Sequence, residues 1–310
     1  MFIQKNIPLA PFTTFKVGGP AKFFIQVQNK IELINALKWA ENNKKQIFIL
    51  GGGSNVIIND NGINGLVIKI NNKNIKVDKE IVRCGAGTSL AEIINAGFNN
   101  NLSGIEWAIG IPMATIGGAV RGNAGAFGSL ISDIVERIEV LDMQTKKFVF
   151  FKNKDCEFSY RESIFKNNKN YLIWSCVLKM QKSKKSEINA KLSKYLKIRK
   201  EKQETMPSAG CIFKNLKISN LYELNANLAN KAIKEGSVKC EMVGTRWLID
   251  LMGLKGTIIG GAQISLEHAN FIINTGNASA KDIIKLINYI KKQAKIKFNV
   301  RLEEEIQYLT

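Results

Sequence analysis

The most legible chemistry in this chain lies in three glycine clusters: Gly51-Gly52-Gly53-Ser54-Asn55, Gly85-Ala86-Gly87-Thr88, and the run from Gly110 to Gly128. Each follows or interrupts an apolar β-branched run, as Ile47-Phe48-Ile49-Leu50 precedes the first. That pattern marks places where backbone must approach a ligand closely. Glycine turns present several N–H groups to one anion, and Ser54 and Asn55 add side-chain donors, so the expected ligand is a pyrophosphate-containing cofactor. One cluster alone would be an ordinary turn. Fifteen of the 25 glycines between Gly51 and Gly128 argue for a site. None of the clusters has GxGxxG spacing opening a helix, so a Rossmann fingerprint is not expected.

Other chemistries are removed by what the chain lacks. His268 is the only histidine, which excludes Ser-His, Cys-His and multi-histidine metal sites. The five cysteines, at 84, 156, 176, 211 and 240, are odd in number and widely spaced. They make no CxxC pair, so neither zinc, nor any other metal, nor a disulfide framework is expected, and a reducing cytoplasm fits. No signal peptide is read at the N-terminus and no apolar run reaches about 18 residues, so no membrane association is expected. Lys+Arg 45 against Asp+Glu 26 gives a formal charge of +19. Such a field favours anionic ligands, with phosphate-rich substrates and nucleic acid both in view. A nucleic-acid partner also requires aromatics interleaved with the basic residues or a recognisable module, and neither is present.

The elements that must position these residues follow from periodicity. Phe23–Val27 reads as a strand, Ile31–Asn42 as an amphipathic helix, and Ile47–Leu50 and Val56–Ile58 as short strands around the first glycine turn. A strand at Ile81–Cys84 leads through the second cluster into a helix from Ser89, with Glu92 as its capping-box partner. Leu102–Gly128 is too glycine-rich for one regular element. Ile134–Leu141 and Phe148–Phe151 read as a hairpin pair, Asp155–Phe165 as a polar loop, and Leu172–Met180 as a returning strand. A lysine-dense helix spans Gln181–Glu204, and an asparagine-rich connection leads to Lys234. Helix Arg246–Met252, strands Thr257–Ile259 and Phe271–Asn274, a helix from Ala280 to about Lys295 capped by Ser279, and a closing strand Asn299–Leu309 complete the chain. The fold class is α+β, with division into residues 1–70, 71–182 and 183–310.

Nine motifs occur in one order: Thr13–Ala21, LGGGSNV at Leu50–Val56, GIPMATIGG at Gly110–Gly118, NAGAFG at Asn123–Gly128, YRES at Tyr160–Ser163, PSAGCIFKN at Pro207–Asn215, LKG at Leu254–Gly256, Gly260-Gly261-Ala262, and LEEEI at Leu302–Ile306. Together they closely resemble the UDP-N-acetylenolpyruvoylglucosamine reductase family of bacterial cell-wall precursor synthesis. The resemblance runs from about residue 11 to 309. It implies a two-part FAD-binding region of the vanillyl-alcohol-oxidase-like type, made of residues 1–70 and 71–182, and a C-terminal α+β substrate domain. The glycine clusters then fall on the cofactor. Gly51, Gly52, Gly53, Ser54 and Asn55 would hold the pyrophosphate, while Gly110, Thr115, Gly117, Gly118, Asn123 and Gly125 would run beside the ribityl chain and ring. With His268 outside that region, FAD is expected to be non-covalent.

The reaction implied by the resemblance passes a hydride from NADPH, through FAD, to the methylene carbon of an enolpyruvyl ether of UDP-N-acetylglucosamine, giving UDP-N-acetylmuramate. Negative charge then grows in the substrate carboxylate, so a cation and a hydrogen-bond donor are needed there, with an acid at the adjacent carbon. By resemblance Arg161 is the cation, Glu305 a protonated carboxyl donor, and Cys211 the acid. Strand alternation puts Glu303 on the face of Glu305 and Glu304 on the other, leaving Glu303 as competitor; the resemblance selects Glu305. Serine is the usual family residue at the acid position, cysteine the less common one. Substrate phosphates would meet Arg199, Lys202, Asn215 and Lys255, with Tyr160 behind Arg161, and His268 is taken as structural. The interval from Arg161 to Cys211 matches the family's shorter subtype, and the segment 216–246 is longer than usual. A cytoplasmic monomer is expected. The competing enzyme class, another FAD-dependent oxidoreductase of the superfamily, has no need of the trio Arg161, Cys211 and Glu305.

Overall fold

The computed structural model describes residues 2–202 and 204–310, except the side chain of Lys202. The chain forms two compact units: Met1–Ile7, Ala21–Gly53 and Asn64–Glu201 make the first, and Pro8–Pro20, Ser54–Ile63 and Lys202–Thr310 the second.

In the first unit, a four-stranded sheet takes the strands Gln4–Pro8, Pro20–Val27, Ile63–Ile70 and Ile47–Leu50 in that lateral order. The last two run parallel, with Leu50 opposite Lys69. Helix α1 (Lys30–Asn42) packs Leu33, Ala36, Leu37 and Ala40 inward, one stripe at helical spacing. It starts where it does because the Asn29 side chain accepts the Glu32 N–H at 2.9 Å. A five-stranded antiparallel sheet follows, in the order Lys147–Lys152, Val135–Asp142, Tyr171–Lys179, Ile81–Gly85 and Ile75–Asp78. The hairpin expected near Ile134 and Phe148 is its edge. Helix α2 (Leu90–Asn99) carries the Ser89–Glu92 capping box read from the sequence. Short helices α3 (Ile116–Arg121) and α4 (Ile164–Asn167) and the lysine-dense α5 (Lys185–Lys202) complete the unit. Leu33, Leu66, Ile68, Leu90, Ile138 and Leu178 are shut from solvent in one core; each such side chain stabilises by about 1.5–3 kcal/mol.

The second unit has an antiparallel sheet of Ser208–Cys211, Phe271–Asn274, Ala262–Ile264 and Ile258–Ile259. Helices α6 (Ile218–Leu224) and α7 (Ala226–Lys234) occupy what the sequence suggested was an asparagine-rich connection. The asparagines serve the helices rather than break them: Asn225 caps α7 by accepting the Leu228 N–H at 3.0 Å, while Leu228, Ala229 and Ala232 turn inward. Helix α8 spans Thr245–Leu251 and α9 spans Ala280–Phe298, capped by Ser279 and Asp282. The Asp60 carboxylate accepts two further N–H groups of that helix start, Ala280 at 2.7 Å and Lys281 at 3.0 Å. Because α9 runs to Phe298 and Asn299 then turns left-handed (φ 58°), the closing strand is only Gln307–Leu309. It pairs parallel with Val56–Ile58. The three glutamates therefore precede the strand, and strict alternation does not govern them. Among the described residues no helix is long and apolar enough to cross a membrane, and no group of His, Cys, Asp or Glu side chains is placed to hold a metal.

Candidate active site

In the first unit the three glycine clusters converge. A Cβ on Gly52 would lie 1.6 Å from the Met113 carbonyl, and one on Gly117 would lie 2.9 Å from Ala86, so neither position admits a side chain. The second and third clusters are bonded together: Leu90 N–H donates to Ala114 O at 2.9 Å, Ile116 N–H to Thr88 O at 2.9 Å, and Gly117 N–H to Ala86 O at 3.0 Å. Met113, at the contact with Gly52, has φ 56°, a left-handed conformation that costs a non-glycine residue about 1–3 kcal/mol.

The polar groups left over fit an anionic, hydroxyl-rich ligand. Gly52 and Gly53 are buried, and among the described residues no hydrogen bond uses either N–H. The Thr88 and Thr115 hydroxyls are buried with no hydrogen-bond partner among the described residues. Buried donors of this kind are seldom left unmet in a folded chain, so a bound group is the natural acceptor. The chain passes from the first unit to the second between Gly53 and Ser54.

Arg161 lies in a turn tied to the third cluster. Its guanidinium donates to Gly125 O at 3.0 Å, and its backbone is left-handed at φ 59°. Buried Asn123 donates to Ser159 O at 2.9 Å, and Ser163 Oγ donates to Arg121 O at 2.7 Å. Lys166 Nζ holds Arg161 O at 2.9 Å and Glu162 at 2.8 Å. The Arg161 guanidinium also stands 5.3 Å from the Tyr160 ring centre. Asn123 thus anchors the Arg161 turn, a job its sequence position did not reveal. Arg199 reaches the same cluster from α5, donating to Trp107 O at 3.0 Å with its guanidinium 5.4 Å from the Phe127 ring centre. Its side chain packs where a Gly110 Cβ would be, 3.1 Å from Cδ. The side chain of Lys202 lies outside the described residues.

In the second unit, Cys211 ends the strand Ser208–Cys211 opposite Phe271, and the register shifts between Ser208 and Cys211. Gly210, at φ 76°, supplies that irregularity; any other residue there would be strained. The bulge re-aims the next side chain, and Cys211 is partly exposed. Glu305 is held beside it, its N–H donating to Ile212 O at 2.7 Å. Asn55 adds a second tie, donating from Nδ2 to Glu305 O at 3.1 Å and accepting the Gln307 N–H at 3.0 Å. The two neighbouring acids are engaged elsewhere: Glu303, largely exposed, pairs with Lys214, and Glu304 pairs with Lys291 at 2.7 Å and accepts the Tyr308 hydroxyl at 2.5 Å. Asn215 accepts the Thr245 N–H at 3.2 Å, and Lys255 faces Asp250 at 3.1 Å.

Sequence reasoning missed Asn270. Only 2% exposed, it bonds Phe213 twice with its side chain, accepting N–H at 3.0 Å and donating to O at 2.9 Å, while its own carbonyl accepts the Ile212 N–H at 2.9 Å. It acts as an extra strand rung behind Cys211 and Glu305. An asparagine at the head of the apolar run Phe271–Ile273 was the available signal, because a buried amide must find partners. His268 closes the turn before that strand, its carbonyl accepting the Phe271 N–H at 2.8 Å and its ring 4.3 Å from Phe271.

Burial separates the five thiols. It pushes Cys84 and Cys156 up to about 12, and Cys176 well above the ordinary range. Cys211 and Cys240 alone reach solvent. Titration of the native protein with a chromogenic disulfide is expected to find two fast thiols, and five after denaturation. Three or more fast thiols in the native state would contradict the burial of Cys84, Cys156 and Cys176.

The model of an FAD binding domain matches residues 21–147, and that of the UDP-N-acetylenolpyruvoylglucosamine reductase C-terminal domain matches residues 200–309. The reductase of that name from Solibacter usitatus is 34% identical over 309 residues, which cover 99% of this chain and 96% of its own. That of Caldanaerobacter subterraneus is 38% identical over 304 residues, covering 97% and 92%. The crystal structure of the Thermus caldophilus reductase superposes with a TM-score of 0.79 at 31% identity, and each chain covers all of the other.

Proposed function

We propose that this chain, which belongs to the UDP-N-acetylenolpyruvoylglucosamine reductase family, reduces UDP-N-acetylglucosamine enolpyruvate to UDP-N-acetylmuramate at the expense of NADPH, as a cytoplasmic monomer in peptidoglycan precursor synthesis. Bound FAD supplies the hydride-carrying chemistry, which no side chain can supply. Gly51–Asn55 would hold its pyrophosphate, and Gly110, Thr115, Gly117, Gly118, Asn123 and Gly125 would run beside the ribityl chain and ring. No covalent link is required. Residues 1–70 and 71–182 act as its two subdomains, and residues 183–310 as the substrate domain.

The chain's own residues manage charge and protons. Arg161 meets the substrate carboxylate with a planar, permanently charged fork whose attraction grows as charge develops. Glu305, protonated, donates a hydrogen bond to the same oxygens. The Cys211 thiol delivers its proton to the carbon beside the carboxylate and is reprotonated from water. Arg199, Lys202, Asn215 and Lys255 bind the diphosphate, and Tyr160 steadies Arg161 across its ring face. The observation that supports this reading is the backbone bond from Glu305 N–H to Ile212 O at 2.7 Å, which ties the main chain of Glu305 to the residue following a solvent-accessible thiol.

The purified protein is expected to be yellow and to release intact FAD on denaturation, read by absorption and chromatography. A colourless protein that takes up no added FAD would end the proposal.

A further inference from the structure

The Gly51–Gly53 turn has a cation behind it. Lys69 stands opposite Leu50 across the parallel strand pair, and its Nζ donates to Gly51 O at 2.8 Å. A trans peptide sets its N–H antiparallel to its C=O. A Gly51 carbonyl turned to Lys69 therefore turns the Gly52 N–H the opposite way. That N–H, like that of Gly53, is buried and has no acceptor among the described residues. An ammonium on the carbonyl also polarises the shared peptide and strengthens its N–H as a donor.

The strand bearing Lys69 also seats the second cluster. One residue further, a Cβ on Gly87 would lie 2.7 Å from Ile70 O, and the Gly87 N–H donates to the Asn72 side chain at 3.0 Å. Asn72, buried, is fixed in turn by donating to Trp174 O at 2.7 Å. One strand end thus carries both turns. Burial, with the neighbouring charge of Lys73, holds the Lys69 ammonium below its ordinary pKa.

We infer that Lys69 is the positioning cation of a diphosphate subsite, fixing the Gly51 carbonyl so that the Gly52 N–H meets the ligand and adding one positive charge behind the turn. The inference rests on the reading of the first unit as an FAD site. It adds a cationic side chain to a cradle otherwise made of backbone and neutral side chains.

The test is FAD retention by the holoenzyme, measured as free-flavin fluorescence after stepwise dilution, for wild type, Lys69→Met, Lys69→Gln and Lys69→Arg. Lys69→Met is expected to weaken FAD binding about 10- to 100-fold, the range for losing a charge-assisted contact. Lys69→Arg is expected to stay within about five-fold of wild type. Added salt should loosen FAD from wild type and the arginine variant more than from the methionine variant. The salt arm separates charge from packing, because a merely structural lysine would leave the salt response unchanged. Lys69→Gln keeps a donor for Gly51 O and removes only the charge, so it reads the charge alone if Lys69→Met does not fold; a loss of about five-fold or more is expected. Losses below about five-fold in both neutral variants, or an arginine variant as poor as the methionine one, would overturn the inference while leaving the FAD reading intact. A wild-type protein that holds no FAD would overturn that reading instead.

Discussion

Cys211→Ala is expected to split the reaction in two. Reoxidation of the reduced enzyme by the enolpyruvyl ether should slow by about two to four orders of magnitude, the range for losing a positioned general acid. Reduction by NADPH should be nearly unchanged, since no proton at the substrate carbon is needed there. The structure makes the variant a clean one. Cys211 is partly exposed at the end of its strand, and the bulge is made by Gly210 rather than by the thiol. The strand is held through the backbones of Ile212 and Phe213. Alanine therefore removes the sulfur without removing the scaffold. Cys211→Ser should keep substantial activity, because a hydroxyl in that place can deliver a proton. Thiol alkylation should inactivate wild type, with protection by substrate, and spare the serine variant. Only Cys240 competes for the reagent, given the burial of the other three. Stopped-flow traces decide: equal reoxidation rates for wild type and the alanine variant would assign the acid elsewhere.

Arg161→Lys is expected to be nearly as damaging, at about 10²- to 10³-fold in turnover, the scale of losing one preorganised donor to a developing oxyanion. Both residues carry one positive charge and both suffer the same left-handed backbone at φ 59°, so the comparison isolates the head group. The guanidinium can donate to Gly125 O, as it does at 3.0 Å, and present its other N–H groups to a carboxylate. A lysine ammonium is a point charge without that planar fork, so it can hold the turn or meet the substrate with poorer geometry for both. NADPH-driven reduction should again be close to normal. Turnover within a factor of two or three of wild type would remove Arg161 from the mechanism.

What could be read in the sequence was what local physics determines. The capping box at Ser89, the cap at Ser279, the stripe of α1 and the hairpin edge at Val135–Lys152 all depend on residues a few positions apart. So do the glycine turns, because only glycine tolerates the approach of Gly52 to Met113. Helices α6 and α7 escaped notice because asparagine, a poor helix former, fills their exposed and capping positions, while their burial depends on tertiary packing. The acidic triplet was misjudged for a related reason. Alternation presumes a strand, whereas Glu303, Glu304 and Glu305 are each set by a partner far away: Lys214, Lys291, and Ile212 with Asn55. Lys69 and Asn270 belong to the same class. Their partners lie 18 and 57 residues away, and nothing in their neighbours specifies the contact.

The parallel pairing of Gln307–Leu309 with Val56–Ile58, and the Asn55–Glu305 bond across 250 residues, bear on how the protein is born. On a ribosome adding about 5–20 residues per second, Asn55 emerges roughly 12–50 seconds before the residue that receives its amide. Every residue of the first unit has been synthesised once Glu201 is made, so its core can condense while translation continues. The segments Pro8–Pro20 and Ser54–Ile63 have no such option. They must wait as loose excursions from that core until the last helix and strand arrive. During that interval the edge of Val56–Ile58 lacks its parallel partner, and it is the part of the nascent chain most in need of a chaperone.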